Sequence, residues 1–168
     1  MRVFLIGFMG SGKSHWGRIL QDALKINFYD LDSVIEEKEN QTIAQIFESK
    51  GEEYFRRLEH ETLDAMIQEH PEMILSCGGG TPCFFKNIDL MKQSGTVVWL
   101  NPAVEALVKR LVKEKEKRPL LNEVSDEALH SFILKKMNDR RIYYEQAHVH
   151  VEEDKATPAS LIEQIVHA

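Results

Sequence analysis

The sequence predicts an α/β fold built on a parallel sheet. Three observations lead there: five short runs read as strands, amphipathic helical stretches separate them, and a glycine-rich loop joins the first run to the first helix. Strands alternating with helices of crossover length form βαβ units, whose connections are right-handed.

Residues 3–6, Val-Phe-Leu-Ile, are the first apolar run. The run is too short for a secretion signal and passes straight into glycines. The first helix, 12–24, places Trp16, Ile19, Leu20 and Ala23 on one face. Residues 26–29 are a weaker second strand. The interval 32–70 reads as helical, with Phe55, Leu58, Thr62 and Met66 as its inward stripe. It exceeds the needs of one crossover, so it predicts a helical lobe inserted beside the sheet. Residues 73–75 and 96–100 are further apolar strands, and 149–151 is a weaker last one. Helices are predicted at 104–112, through Val104, Leu107, Val108 and Leu111, and at 126–144, through Leu129, Phe132, Ile133 and Met137. Between them lies the mixed-charge run 113–119, ending in Arg118-Pro119. Proline biases its predecessor away from helix, so the preceding helix ends there. The run suits a solvated loop or a flap over a site.

With 168 residues and 43% apolar composition, one domain with a sizeable core is expected. A net charge of −6 argues against a general nucleic-acid binder. Positive charge is nevertheless concentrated between Lys109 and Lys136. Two cysteines, Cys77 and Cys83, are too few for a disulfide framework and fit no common zinc spacing, which suits a reduced, cytoplasmic setting. No stretch approaches the roughly 20 apolar residues that cross a bilayer, so no membrane partner is expected. The histidines carry little: His60 and His70 lack metal spacing, and His148 and His150 are expected on an exposed strand face.

The strongest signal is Gly7-Phe8-Met9-Gly10-Ser11-Gly12-Lys13-Ser14, which matches G-x-x-x-x-G-K-[ST] after a strand and before a helix. Glycines let successive N–H groups converge on phosphate oxygens at a helix N-terminus. Lys13 then reaches the outer phosphates of ATP and the Ser14 hydroxyl ligates Mg²⁺. Gly10, Ser11, Gly12, Lys13, Ser14 and His15 are the candidate nucleotide-binding residues.

A guanine-binding switch would carry N-K-x-D and D-x-x-G, and neither is present. A motor ATPase would end a later strand on an acid, but Ser76-Cys77 and Leu100-Asn101 follow the strands here. The acids at a strand end are Asp30 and Asp32. Residues two apart in an extended segment point the same way, so both can face one site. Asp30 suits Mg²⁺, and Asp32 suits the group that takes a proton from an acceptor hydroxyl. Asp32 also suits the cap of the following helix, and both roles stay open. Gly78, Gly79 and Gly80 after the third strand allow close approach of a ligand to the backbone. Arg56, Arg118 and Arg140 each fit a surface position singly; together they could grip a carboxylate and offset phosphoryl charge. Glu59, three residues after Arg56, could hold its guanidinium.

In this order, the segments Gly-Phe-Met-Gly-Ser-Gly-Lys-Ser (7–14), Asp-Leu-Asp (30–32), Phe-Arg-Arg-Leu-Glu (55–59), Gly-Gly-Gly (78–80), Arg-Pro-Leu-Leu (118–121) and Arg140 before Tyr144-Glu145 resemble the shikimate kinases over nearly the whole chain. The resemblance implies a P-loop, nucleoside-monophosphate-kinase-like three-layer sandwich. It carries a five-stranded parallel sheet, a substrate lobe at about 32–62 and a lid at about 113–125, all within a single domain, 1–168. It implies use of ATP and Mg²⁺ to phosphorylate the 3-hydroxyl of shikimate, toward chorismate and aromatic amino acids; a monomer is expected, although the sequence itself is silent on oligomeric state. Carried over by position, Asp32, Arg56, Gly78, Gly79, Gly80 and Arg140 hold shikimate, with Asp32 as base and Arg56 and Arg140 on the carboxylate. Arg118 is the lid arginine on the phosphates, and Arg110 packs near adenine. Departures from the family pattern are His15 after the loop serine, Cys77 before the glycines, and Ile142 after Arg140-Arg141. A kinase for gluconate or a nucleoside monophosphate, and a nucleotide-binding regulator, are the alternatives.

Overall fold

The computed structural model describes residues 1–115, 118 and 121–168. Among these are five strands: β1 (Arg2–Ile6), β2 (Phe28–Asp30), β3 (Met73–Ser76), β4 (Thr96–Leu100) and β5 (Val149–Val151). All pair in parallel, in the order β2-β3-β1-β4-β5. The described helices are α1 (Lys13–Leu24), α2 (Leu31–Glu39), α3 (Ile43–Glu69), α4 (Asn87–Ser94), α5 (Val104–Glu114), α6 (Asp126–Tyr144) and α7 (Pro158–His167).

The strand alternation makes the three layers. Phe4, Ile6, Leu75, Val97 and Trp99 point to one face, where they pack with α2, α3 and α4 through Ile35, Leu63, Met66 and Met91. Val3, Leu5, Ile74, Val98 and Leu100 point to the other, where Trp16 and Leu20 of α1 and Leu161 and Ile165 of α7 cover them. Central strands buried on both faces read as continuous apolar runs, which is why β1 and β4 were plain in the sequence. A third cluster joins Phe8 of the glycine-rich loop to Leu107 and Leu111 of α5 and Leu129 and Ile133 of α6. The loop is therefore packed against two helices. Burial of each such side chain contributes about 1.5–3 kcal/mol.

Several expectations are corrected. The second strand is Phe28–Asp30, not 26–29. Ala23 is exposed, so the buried face of α1 is narrower than its apolar spacing indicated. The interval 32–70 is two helices: α2 ends at Asn40, whose left-handed backbone (φ 52°) turns the chain, and α3 bends at Gly51 (φ 82°, ψ 172°). Its expected stripe is buried throughout: Phe55, Leu58, Thr62 and Met66 are at most 6% exposed. Helices α4 and α7 had not been located in the sequence. Of the expected lid, residues 116, 117, 119 and 120 lie outside the described residues. Among the described residues, no helix is long and apolar enough to cross a membrane.

Candidate active site

Strand β1 ends at Ile6, and the chain reaches α1 through the glycine-rich loop. Gly12 occupies the N-cap of α1 with φ 90° and ψ 14°, a left-handed conformation that glycine adopts without steric penalty. It brings no capping side chain, so the first-turn N–H groups of α1 keep their capacity for an anion. Lys13 Nζ donates to Gly7 O at 2.8 Å and Phe8 O at 2.9 Å, which arches the side chain back over the loop. Burial pushes the Lys13 ammonium down to about 8, while Asp32 and Asp30 oppose that shift.

The loop faces a cavity of about 660 Å³. Gly10, Ser11, Gly12, Lys13, Ser14 and His15 line it on one side, and Asp30, Asp32, Gly78 and Gly79 on another. Arg110 and Arg118 line it as well. Arg56, Gly80 and Arg140 are not among its lining residues; Gly80 closes the Gly78–Gly80 turn, and the guanidinium groups of Arg56 and Arg140 lie against Gly80 and Gly79.

Asp30 and Asp32 reach the cavity by a different route from the one expected. The chain turns helical at Leu31, so the pair does not share an extended segment. Asp30 is the cap of α2, its Oδ1 accepting from Ser33 N at 3.1 Å, and Asp32 lies in the first helical turn. The capping role thus belongs to Asp30. The Asp32 carboxylate has no hydrogen-bond partner among the described residues. Burial, then the neighbouring Asp30 and Glu59, push its carboxyl up to about 6.

Three groups converge on the glycine turn. A Cβ on Gly80 would sit 2.6 Å from Arg56 Nη2, and one on Gly79 would sit 2.8 Å from Arg140 Nη1. Only bare backbone lets both guanidinium groups come so near. Arg56 donates to Glu59 Oε1 at 2.9 Å, and its guanidinium carbon stands 4.3 Å from the Phe84 ring centre. Glu59 is 1% exposed, and burial pushes its carboxyl up against the opposing pull of Arg56, Thr81 and Arg140. Tyr144, fully buried on α6, donates its hydroxyl to Gly79 O at 2.6 Å. Arg140 stands beside that bond with its guanidinium carbon 5.6 Å from the Phe8 ring centre. Arg141 turns outward to Glu145, which resolves which of the adjacent arginines faces the turn.

The remaining arginines are held by carboxylates absent from the sequence expectations. Arg110 Nη2 contacts both carboxylate oxygens of Glu153 at 2.7 Å, and its Nη1 donates to Gly10 O at 3.0 Å. Arg118 Nη2 donates to Glu114 Oε2 at 2.7 Å. The histidine expectations stand in part. His150 is exposed, and so is His148, yet His148 Nδ1 accepts from Val97 N at 3.0 Å.

Gly80→Ala isolates the close approach. Its φ of −91° suits alanine, and the atom displaced is the end of a long side chain. Stability is expected to fall by less than about 1 kcal/mol. Arg56 must move, so the KM of an anionic acceptor is expected to rise about tenfold, measured by steady-state kinetics beside thermal unfolding.

Mg²⁺ fits these residues. It demands oxygen ligands, and proteins hold it through one or two carboxylates with substrate phosphates. The exposed Ser14 and the Asp30 and Asp32 carboxylates around one cavity supply such a set beside an uncapped helix N-terminus. Among the described residues no cluster of three or more acidic, histidine or cysteine side chains forms an all-protein cage.

A family model described as Shikimate kinase matches residues 9–168. A shikimate kinase of Azobacteroides pseudotrichonymphae is 40% identical over 98% of this chain and 97% of its own length. The crystal structure of shikimate kinase from Bacteroides thetaiotaomicron superposes with a TM-score of 0.87 at 34% identity, over 99% of this chain and 95% of that one. The Acinetobacter baumannii shikimate kinase, solved in complex with shikimate, gives 0.85 at 33% identity, over 99% and 90%. The glycine-rich loop, the paired aspartates and the arginines around the glycine turn thus lie within a match that spans almost the whole sequence: the chain belongs to the shikimate kinase family.

Proposed function

We infer that this protein transfers the γ-phosphoryl group of ATP to the 3-hydroxyl of shikimate, the step that leads toward chorismate and the aromatic amino acids. The observation that carries the reading is the arrangement of Asp32. Its carboxylate shares one cavity with the phosphate-binding loop and lies next to a glycine turn backed by two arginines. ATP with Mg²⁺ is the phosphoryl donor of shikimate kinases. When bound, Mg²⁺ supplies positive charge to phosphate oxygens, and Ser14 with Asp30 would hold it, Asp30 directly or through water.

Phosphoryl transfer is catalysed by positioning and electrostatic stabilisation rather than covalent chemistry. Arg56 and Arg140 grip the acceptor carboxylate, which fixes the ring relative to Asp32. Gly78, Gly79 and Gly80 let the acceptor approach the backbone. Asp32 Oδ accepts the hydroxyl proton as the oxygen attacks. Lys13 exchanges its carbonyl partners for phosphate oxygens, and Arg118 leaves Glu114 to offset charge on the transferring group. Residues 113–125 act as the lid that excludes water, and residues 32–62 as the acceptor lobe. Gly10, Ser11, Gly12 and His15 flank the phosphates, and Arg110 packs against adenine. A monomer working in the cytoplasm is part of this reading: one chain supplies every group named, and both cysteines are free thiols.

The pH dependence follows from Asp32. Its carboxyl titrates at about 6. Below that value it already holds a proton and cannot accept another. The kcat/KM for shikimate is expected to fall about tenfold per pH unit below 6. On the other side, Lys13 loses charge above about 8 in the free protein, so ATP affinity is expected to weaken between pH 7 and 9. A profile flat from pH 5 to 8 would contradict Asp32 as the base. The function itself is tested by coupled ADP release with shikimate, gluconate and nucleoside monophosphates as acceptors. Turnover of shikimate alone supports the reading, and turnover of gluconate without shikimate overturns it.

A further inference from the structure

Behind the glycine turn runs a buried chain of polar side chains that no catalytic role absorbs. Glu59 uses both oxygens: Oε1 accepts from Arg56, and Oε2 accepts from Thr81 Oγ1 at 2.7 Å. Thr81 is fully buried, and its carbonyl accepts from Asn87 Nδ2 at 2.9 Å. Asn87, also fully buried at the start of α4, accepts at Oδ1 from His60 Nδ1, 2.7 Å away on α3. Because Asn87 Nδ2 is committed as a donor, Oδ1 must accept, which places the His60 proton on Nδ1. The chain begins and ends on α3, at Arg56 and His60, and passes through the turn between.

We propose that Thr81 and Asn87 are positioning residues that hold Arg56 against the acceptor carboxylate, Thr81 through Glu59 and Asn87 through the Thr81 carbonyl. Arg56 carries long side-chain freedom, and the Phe84 and Phe55 rings, 4.3 and 5.2 Å from its guanidinium carbon, restrain it but leave the direction of its N–H groups to a hydrogen-bonding partner. Its Nε is buried without a hydrogen-bond partner, and its second acidic neighbour, Glu52, is a 3.5 Å contact and 59% exposed. Glu59 sets the guanidinium plane only if it is fixed and ionised. A buried carboxylate oxygen without a donor favours the neutral acid, so the Thr81 hydroxyl keeps Glu59 able to pair. Asn87 fixes the turn that carries this hydroxyl, and His60 ties Asn87 to the helix that carries Arg56.

The inference rests on the shikimate reading. Wild-type turnover of shikimate tests that reading, and variant-to-wild-type ratios test this one. Thr81→Val removes the hydroxyl at constant shape. The KM for shikimate is expected to rise about tenfold, the effect of one hydrogen bond to a charged group, with kcat and the KM for ATP within twofold of wild type. Thr81→Ser should restore the wild-type KM. In a Glu59→Gln background, Thr81→Val should add less than twofold, because the two act through one contact. His60→Ala, altered at a half-exposed side chain, is the companion test, with an expected rise of about threefold in the same KM alone. The proposal is overturned if folded Thr81→Val keeps the wild-type KM for shikimate, or if its KM for ATP rises equally. Should Thr81→Val not fold, an unchanged KM in His60→Ala overturns it.

Discussion

Replacing Lys13 by methionine is expected to lower kcat by about a thousandfold or more, with the fold intact. Methionine keeps the length of the stem and removes the charge. In the free protein the ammonium donates to Gly7 O and Phe8 O and, at 3.5 Å, to Ser11 Oγ, so its loss removes hydrogen bonds at a partly exposed loop, a modest structural cost. In the proposed reaction the same ammonium, at the start of α1, offsets charge that builds on the transferring phosphoryl oxygens. Burial pushes its titration down, so it meets those oxygens with part of its hydration already removed. The check is single-turnover kinetics with ATP and shikimate beside a thermal melt. A variant that keeps its melt and also the wild-type rate removes Lys13 from the mechanism.

Asp32→Asn is expected to do two opposite things. With Asp32 as the proposed general base, its loss is expected to lower kcat by about 10²–10⁴-fold. The same change should stabilise the free protein at alkaline pH. The Asp32 carboxyl rises from 3.8 to about 6 on folding, so the fold favours the protonated form. Its stabilising contribution is therefore full below about pH 4 and is lost as pH rises through 6. At pH 8 the ionised carboxylate costs about 2–3 kcal/mol, at 1.36 kcal/mol per pKa unit. Asparagine removes that cost, and the melting temperature should rise by several degrees at pH 8 but not at pH 4. Paired melts of wild type and variant at both pH values measure the effect. Equal melting temperatures at pH 8 would mean that the carboxylate is not held where desolvation and Asp30 act on it.

The parts legible in the sequence are those with short-range causes. Strands β1 and β4 are buried on both faces and show as unbroken apolar runs. The 7–14 loop shows as a motif because Gly7, Gly10 and Gly12 take backbone angles that glycine adopts without penalty. Strand β2 was misplaced because it is an edge strand of half-buried residues, with little apolar signal to fix its ends. That shift also misled the geometry of Asp30 and Asp32, since either aspartate suits an N-cap and the local sequence does not say that the cap is Asp30, with the helix starting at Leu31. Helix α4 was hidden for a similar reason: it starts after Phe85 and Lys86, both in left-handed backbone, without a capping side chain. Helix α7 carried a readable start in Thr157, Pro158 and Ser160, a capping box with proline at the first position.

The site divides the same way. Arg56 and Glu59 are three residues apart on one helix, so their pairing was legible. Thr81 to Glu59, Tyr144 to Gly79 and Arg110 to Glu153 join residues 22, 65 and 43 positions apart, and no local pattern announces them. They are consequences of the sheet bringing the ends of β1, β3 and β4 to one edge, with the helices that follow them.

The most direct measurement is a crystal structure of the protein with ADP and shikimate bound together. The account predicts the nucleotide phosphates on the 7–14 loop, the shikimate carboxylate on Arg56 and Arg140, and its 3-hydroxyl within hydrogen-bonding distance of Asp32. Shikimate bound with its carboxylate toward Lys13, or with Asp32 turned away from every hydroxyl, would contradict it.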